Sequence, residues 1–200
     1  MRVDLSLIVT CRDQEADLPE MVRSALVIAQ SVRATGQEAG HLSFEILALD
    51  ERSRDNSLAS LALLQSQIAQ LAVYDDIRPG EAIKTGIARC RGKIVVLLDG
   101  PVAHAHGIWA VEAVLAQHPA ALVPEGILAV RRDLAEHALL RLRGGLVRAQ
   151  RAVRTALARR DLAPAYAPAS GDGLRDRTRR WLRGQASAFP WTARTFDRPA

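Results

Sequence analysis

Three short apolar runs in this 200-residue chain lead into acids. LSLIVT (Leu5–Thr10) runs on to Asp13 and Glu15, FEILALD (Phe44–Asp50) ends at Asp50 and Glu51, and KIVVLLD (Lys93–Asp99) ends at Asp99. Carboxylates accept hydrogen bonds from ligand groups, hold divalent cations and move protons. One acid after one apolar run is commonplace; acids after three of them form a set. Lys84, ahead of the third run, can add positive charge. His104 and His106 form an H-x-H pair that with Asp99 could in principle hold a metal, although two histidines in a loop without a Cys or a further His more often face solvent. Cys11 and Cys90 read as small buried side chains near element ends.

The elements that must position these residues alternate. Leu5–Thr10, Phe44–Asp50, Leu71–Asp75 and Lys93–Asp99 read as strands. A helix is expected from about Asp17, its N-cap, with Leu18, Met21, Val22, Ala25, Leu26 and Ala29 on one stripe. A second runs from Asn56 or Ser57 to Gln70, and a third over 81–91. Continuously apolar strands separated by helices imply an α/β fold: a mostly parallel, Rossmann-like sheet with helices on both faces. In such sheets ligands sit beyond the carboxyl ends of the strands, where strand order reverses. That places the candidate site just after Thr10, Leu49 and Leu98, where the acids lie.

Beyond Gly100 a helix is expected over 107–118, one or two short strands in ALVPEGILAV, and an Arg-rich helix over 132–160 broken at Gly144-Gly145. Ala163–Gly173 reads as a loop or linker, followed by a short basic helix over 174–186 and an irregular tail. Residues 1–130 hold 11 Lys+Arg and 16 Asp+Glu, while residues 131–200 hold 16 Arg and 6 Asp+Glu, so the net charges are −5 and +10. The chain therefore divides into a core at 1–130 and a basic, helical part at 131–200. Such a basic end suits an anionic partner, or is a solvated Arg-rich helix face. Nucleic acid is disfavoured, because Tyr166, Trp181, Phe189, Trp191 and Phe196 follow no recognised motif.

Several classes are excluded or disfavoured. No run approaches the ~18 apolar residues of a membrane span. The N-terminus has no signal-peptide pattern, and two cysteines are too few for a disulfide scaffold, so a cytoplasmic location is expected. G-x-x-x-x-G-K-[ST], G-x-G-x-x-G after the first strand, and G-x-S-x-G are all missing, which argues against P-loop, dinucleotide-binding and α/β-hydrolase chemistry.

The acids at the strand ends make the first half resemble a family 2 glycosyltransferase of the GT-A fold. LSLIVTCRDQEADLPEMVRSAL resembles that family's opening strand, acidic turn and helix. FEILALDERSRDNS resembles its segment of two acids, Gly, Ser, a variable residue and Asp. GEAIKTGIARCRGKIVVLLDG resembles the helix and strand leading to a metal-binding D-x-D. RTRRWLRGQ is similar to the Q-x-x-R-W segment of members that act at membranes. The resemblance implies an inverting transferase using a nucleotide diphosphate sugar, with a UDP-sugar favoured and a lipid-linked or polysaccharide acceptor. It implies donor contacts from Thr10, Asp13, Glu15, Asp50, Glu51, Lys84 and Asp99. Asp50 would meet the base or ribose, and Asp99 the ribose and diphosphate. Arg180 and Trp181 would bond the diphosphate and stack on the acceptor, or form an amphipathic helix with a buried Trp.

The departures from the family pattern are specific. The D-x-D reads Asp99-Gly100-Pro101, so proline stands where the second carboxylate is usual. Mg²⁺ or Mn²⁺ would then rest on Asp99 alone, on His104 or His106, or be absent. The family's acidic pair falls near Ala149-Gln150, where no acid stands; a looser placement gives the base to Asp172. Two functions follow: a divergent transferase, or a catalytically inactive scaffold or regulatory subunit that binds a nucleotide or a partner protein. Arg175, Arg177, Arg179, Arg180 and Arg183 with Leu174, Trp181 and Leu182 would suit an anionic membrane on the cytoplasmic face. Self-association or a partner subunit is a further expectation.

Overall fold

The computed structural model describes residues 3–32, 42–124 and 126–167, which lie within a compact unit spanning Met1–Ala167. The chain runs β1 (Leu5–Cys11), α1 (Leu18–Ser31), β2 (Phe44–Asp50), α2 (Ser57–Gln67), β3 (Leu71–Tyr74), α3 (Ala82–Arg89) and β4 (Ile94–Leu98). It continues through α4 (His104–Leu115), β5 (Ala120–Val123), β6 (Ile127–Arg131), α5 (Arg132–Leu139), α6 (Leu146–Ala158) and β7 (Ala165–Tyr166). The sheet order is β3-β2-β1-β4-β6-β5-β7. β3, β2, β1 and β4 are parallel; β6 runs antiparallel to β4 and β5, and β7 parallel to β5. The expected mostly parallel α/β sheet is what forms.

Alternation along each strand feeds two cores. Leu5, Leu7 and Val9 of β1, with Val96 and Leu98 of β4, pack under α1, α2 and α4. Ile8, Leu47, Leu49, Val95 and Leu97 point the other way, under α3, α5 and α6. Both faces are therefore covered, which is why these strands read as unbroken apolar runs. Each fully buried Leu, Ile or Val adds roughly 1.5–3 kcal/mol. α3 approaches the sheet so closely at Gly86 that a Cβ there would lie 2.8 Å from Leu49 Cδ1 and 2.9 Å from Ile8 Cδ1.

Residues 131–167, which the charge division sets apart, pack into the same unit: Leu134, Ala135, Leu139, Leu146, Ala149 and Val153 are all in the second core. The expected Ala163–Gly173 linker contains β7, which extends the sheet by pairing Ala165 with Ala121 and Tyr166 with Leu122. Ala165 and Tyr166 are too few to show a strand's alternation in the sequence. Asp17 does not cap α1 with its side chain; the Leu18 N–H goes to the Gln14 carbonyl. Nor does Asn56 cap α2, because Asp55 Oδ1 accepts the Ser57 N–H at 3.0 Å in an Asx turn. His104 and His106 lie in the first turns of α4 rather than in a loop. Among the described residues, no helix is long and apolar enough to cross a membrane.

Candidate functional site

Strand order reverses at β1: β2 and β3 lie to one side of it, β4 to the other. The crevice beyond the carboxyl ends of β1, β2 and β4 is therefore the place where a ligand can enter between separated loops. Cys11 of β1 is in register with Asp50 of β2, and Val9 with Leu98 of β4. Thr10 thus stands next to Asp99. With neighbouring strands about 4.8 Å apart, β2 and β4 flank β1 at a separation of roughly 10 Å.

Asp50 is only 3% exposed. Its Oδ2 accepts the Ser53 N–H at 3.1 Å and its Oδ1 the Ser53 hydroxyl, so the chain turns back on the carboxylate three residues later. The Cys11 thiol lies 3.8 Å from Oδ1 and 3.6 Å from the Leu49 carbonyl. Burial, with the Asp50 charge as the next cause, pushes that thiol up to about 12. Asp50 makes no ion pair among the described residues. Asp99, by contrast, is exposed at the mouth of the crevice, followed by Gly100 and Pro101.

Asp13, Glu15, Glu51 and Asp55 are engaged by hydrogen bonds within the fold. Asp13 Oδ1 accepts the Arg54 N–H at 2.6 Å, while the Asp13 N–H goes to the Ser53 hydroxyl at 2.9 Å. Glu15 takes the Asn56 backbone and side-chain N–H groups at 3.2–3.3 Å, and its own N–H goes to Asp55 Oδ2 at 3.0 Å. The loops after β1 and β2 are cross-braced by these bonds. Burial works to raise the Asp55 carboxyl, but hydrogen bonds from Ser57 and Glu15 outweigh it and hold it below the ordinary value. Glu51 accepts the Ala82 N–H at 2.9 Å, satisfying one of the open donors at the start of α3. Lys84 pairs with Glu81 at 3.2 Å.

Asp13 (φ 52), Arg52 (φ 56) and Asp76 (φ 53) adopt left-handed backbone in the loops after β1, β2 and β3. Such conformations cost about 1 kcal/mol or more for residues with a Cβ and gather at binding loops. The Arg52 guanidinium meets Asp76 at 2.7 Å, holding the β2 and β3 loops together on the surface.

Sequence reasoning missed three contributors. Ser53 supports Asp50 and Asp13 together, Cys11 lies against Asp50, and Gln150 donates to the carbonyls of Val123 (3.1 Å) and Ile127 (3.0 Å). The signal for Ser53 was its place in the acid-rich DERSRD segment; the other two depend on tertiary contacts. Gln150 stands at the aligned position of the acidic pair, and here it fastens α6 to the β5–β6 turn. Asp172, Arg180, Trp181 and the 174–186 segment lie outside the described residues.

Among the described residues, the donor set does not form a protein-held metal site. No group of three His, Cys, Asp or Glu is placed to hold a metal among the described residues. Pro101 offers no side-chain oxygen, and His104 Nε2 is 3.2 Å from the Ser24 hydroxyl. Asp99 is one carboxylate, the least that a Mg²⁺ already carried by phosphate oxygens would use.

The family description "Glycosyl transferase family 2" matches residues 6–117. No individual curated protein matches the chain. Among solved structures, the S. aureus TarS fragment 1–349 is 15% identical with a TM-score of 0.56, covering 77% of this chain and 55% of its own. The mannosyltransferase PcManGT from Pyrobaculum calidifontis, in complex with GDP-Man and Mn²⁺, is 14% identical with a TM-score of 0.61, covering 100% and 66%. Glucosyl-3-phosphoglycerate synthase from Mycobacterium tuberculosis, in complex with Mn²⁺, UDP and glucosyl-3-phosphoglycerate, is 16% identical with a TM-score of 0.60, covering 98% and 84%. The chain thus spans little more than half of the TarS fragment. At these identities the likeness concerns the fold.

Proposed function

From the premise that this chain belongs to glycosyl transferase family 2, we propose that it binds a nucleoside diphosphate sugar in the crevice between Asp50 and Asp99 and transfers the sugar to an acceptor. The observation that carries this reading is Asp50: a buried carboxylate with no cationic partner among the described residues, at the end of the strand next to β1, where strand order reverses. Its lone pairs suit the N–H of a pyrimidine base or ribose hydroxyls. UDP is the favoured nucleotide; GDP is the alternative to test. Asp99, across β1, lies where the ribose and diphosphate would continue.

Departure of the nucleotide needs neutralisation of the diphosphate. A divalent cation, when bound, supplies that as a Lewis acid. Among the described residues Asp99 is the carboxylate at the mouth of the crevice that could touch it, so the cation's hold on the protein comes mainly through the nucleotide. Mn²⁺ is accordingly expected to strengthen UDP binding by less than about tenfold. From the sequence resemblance alone, Asp172, which lies outside the described residues, is the candidate for the base that takes the acceptor proton, and a lipid-linked or polysaccharide compound is the candidate acceptor class.

One observation favours a second reading, a nucleotide-binding scaffold. Gln150, aligned with the acidic pair, has its amide committed to two backbone carbonyls. An assay for UDP or GDP released from a panel of nucleotide sugars separates the two. Release that disappears in Asp99→Ala supports the transferase. Nucleotide binding without release from any sugar, with or without Mn²⁺, makes the protein a scaffold.

A further inference from the structure

From His137 to Arg160 the sequence holds seven arginines and no Asp or Glu. α6 carries part of this run on a rigid support, because Leu146, Ala149, Val153, Ala156 and Leu157 fix its other face in the core beneath the sheet. Arg143, Arg148, Arg151 and Arg159, with His137 and Thr155, line a groove of about 640 Å³ against α5. No carboxylate lines it. Arg143 reaches Glu81 at 3.3 Å, but Glu81 is shared with Lys84. Arg148, Arg151 and Arg159 make no ion pair among the described residues.

The turn before α6 shapes this surface. Gly144 has φ +119, and a Cβ there would sit 2.6 Å from Arg148 Cδ. Glycine therefore permits the turn and also leaves room for the Arg148 chain to lie across it. The Arg148 guanidinium then donates to the Arg143 carbonyl at 3.3 Å. In turn, the Gly144 N–H donates to the Gly80 carbonyl at 2.8 Å, which ties the turn to the segment before α3.

Guanidiniums gathered without counter-charge repel one another, and an anion with several oxygens removes that cost while accepting their planar N–H forks. The groove's size is that of a small-ligand site, about 300–1,000 Å³. We propose that the α5–α6 groove binds a phosphate-bearing anion, at a site separate from the crevice at Asp50 and Asp99. Neither Asp50 nor Asp99 lines the groove. The phosphate comes either from a soluble phosphorylated molecule or from the headgroup of an anionic lipid, and the experiment's two arms tell these apart.

The test uses the full chain with two probes: pyrophosphate by calorimetry, and flotation with phosphatidylglycerol vesicles against phosphatidylcholine vesicles. Each is run at low and at physiological salt with wild type, Arg151→Glu/Arg159→Glu, the milder Arg151→Gln/Arg159→Gln, and Asp50→Ala. Wild type binds one probe, more weakly as salt rises. Charge reversal weakens binding by at least about tenfold, the glutamine pair by less, and Asp50→Ala leaves it unchanged. Pyrophosphate binding alone identifies a soluble ligand; binding to phosphatidylglycerol vesicles alone identifies a headgroup. Binding of neither probe at low salt overturns the proposal. So does equal binding by wild type and both arginine variants, with far-UV circular dichroism establishing that the variants are folded.

Discussion

Strand β2 carries a buried carboxylate near each end, and the two are held in opposite ways. Glu45, 8% exposed at the amino end, accepts the Ser6 hydroxyl (2.7 Å), the Arg91 N–H (2.6 Å) and the Arg91 guanidinium through Nε (2.8 Å) and a terminal nitrogen (2.7 Å). The Ser6 hydroxyl in turn accepts the Gly92 N–H at 2.7 Å. This is a closed network with its own cation, and it locks the α3–β4 connection against β1 and β2. Asp50, at the carboxyl end, has one supporting serine, a weak thiol neighbour and no ion pair among the described residues. Burying a carboxylate is costly unless hydrogen bonds or charge compensate. Glu45 is compensated from within the fold; Asp50 has accepting capacity left over, and it points to a ligand that completes it.

The Cys11 thiol gives the comparison its largest expected effect. Raised to about 12 by burial and then by Asp50, it stays protonated at pH 8, so native Cys11 should alkylate with iodoacetamide about a hundredfold or more slowly than in urea. Mass spectrometry over time measures this, and Asp50→Asn should speed the native reaction. Fast native alkylation would mean that Cys11 is open to solvent and the carboxyl end of β1 is looser than described.

Next in size, Glu45→Ala should cost about 2–3 kcal/mol in urea unfolding, because Ser6 and Arg91 lose their acceptor. Asp50→Asn should cost under about 1 kcal/mol, since no cation is stranded. Equal losses from the two substitutions would dissolve the distinction. The smallest effect concerns Asp4, whose carboxyl the Lys93 ammonium holds below its ordinary value, with Ser43 assisting against burial. A depressed folded value means stability present above the unfolded carboxylate value and lost as pH falls through the lower, folded one. Asp4→Asn should therefore flatten the acid-side loss below about pH 4 by a few tenths of a kcal/mol. Thermal melts from pH 6 down to pH 3 would show it.

The four parallel strands were legible because burial on both faces writes itself as continuous apolar sequence. The hairpin of β5 and β6 was half legible, its turn residues breaking an otherwise apolar stretch. β7 was not, since two residues at a sheet edge carry no periodicity. The carboxylates at the strand ends could be read from the same runs that position them. What each carboxylate does could not: Asp13 and Glu15 brace loops through partners some 40 residues away, and Glu51 serves the start of α3. Gln150 shows the same limit, because its role is set by the β5–β6 turn that α6 happens to cover.

The most direct measurement is calorimetric titration with UDP of wild type, Asp50→Ala and Asp99→Ala, each with and without Mn²⁺, and with GDP as a parallel series. Wild type should bind UDP saturably, and Asp50→Ala should bind it about tenfold or more weakly. Asp99→Ala should hold UDP less tightly than wild type, and Mn²⁺ should have a modest effect. No binding of either nucleotide by folded wild type, or unchanged binding in Asp50→Ala, would contradict a nucleotide site at Asp50.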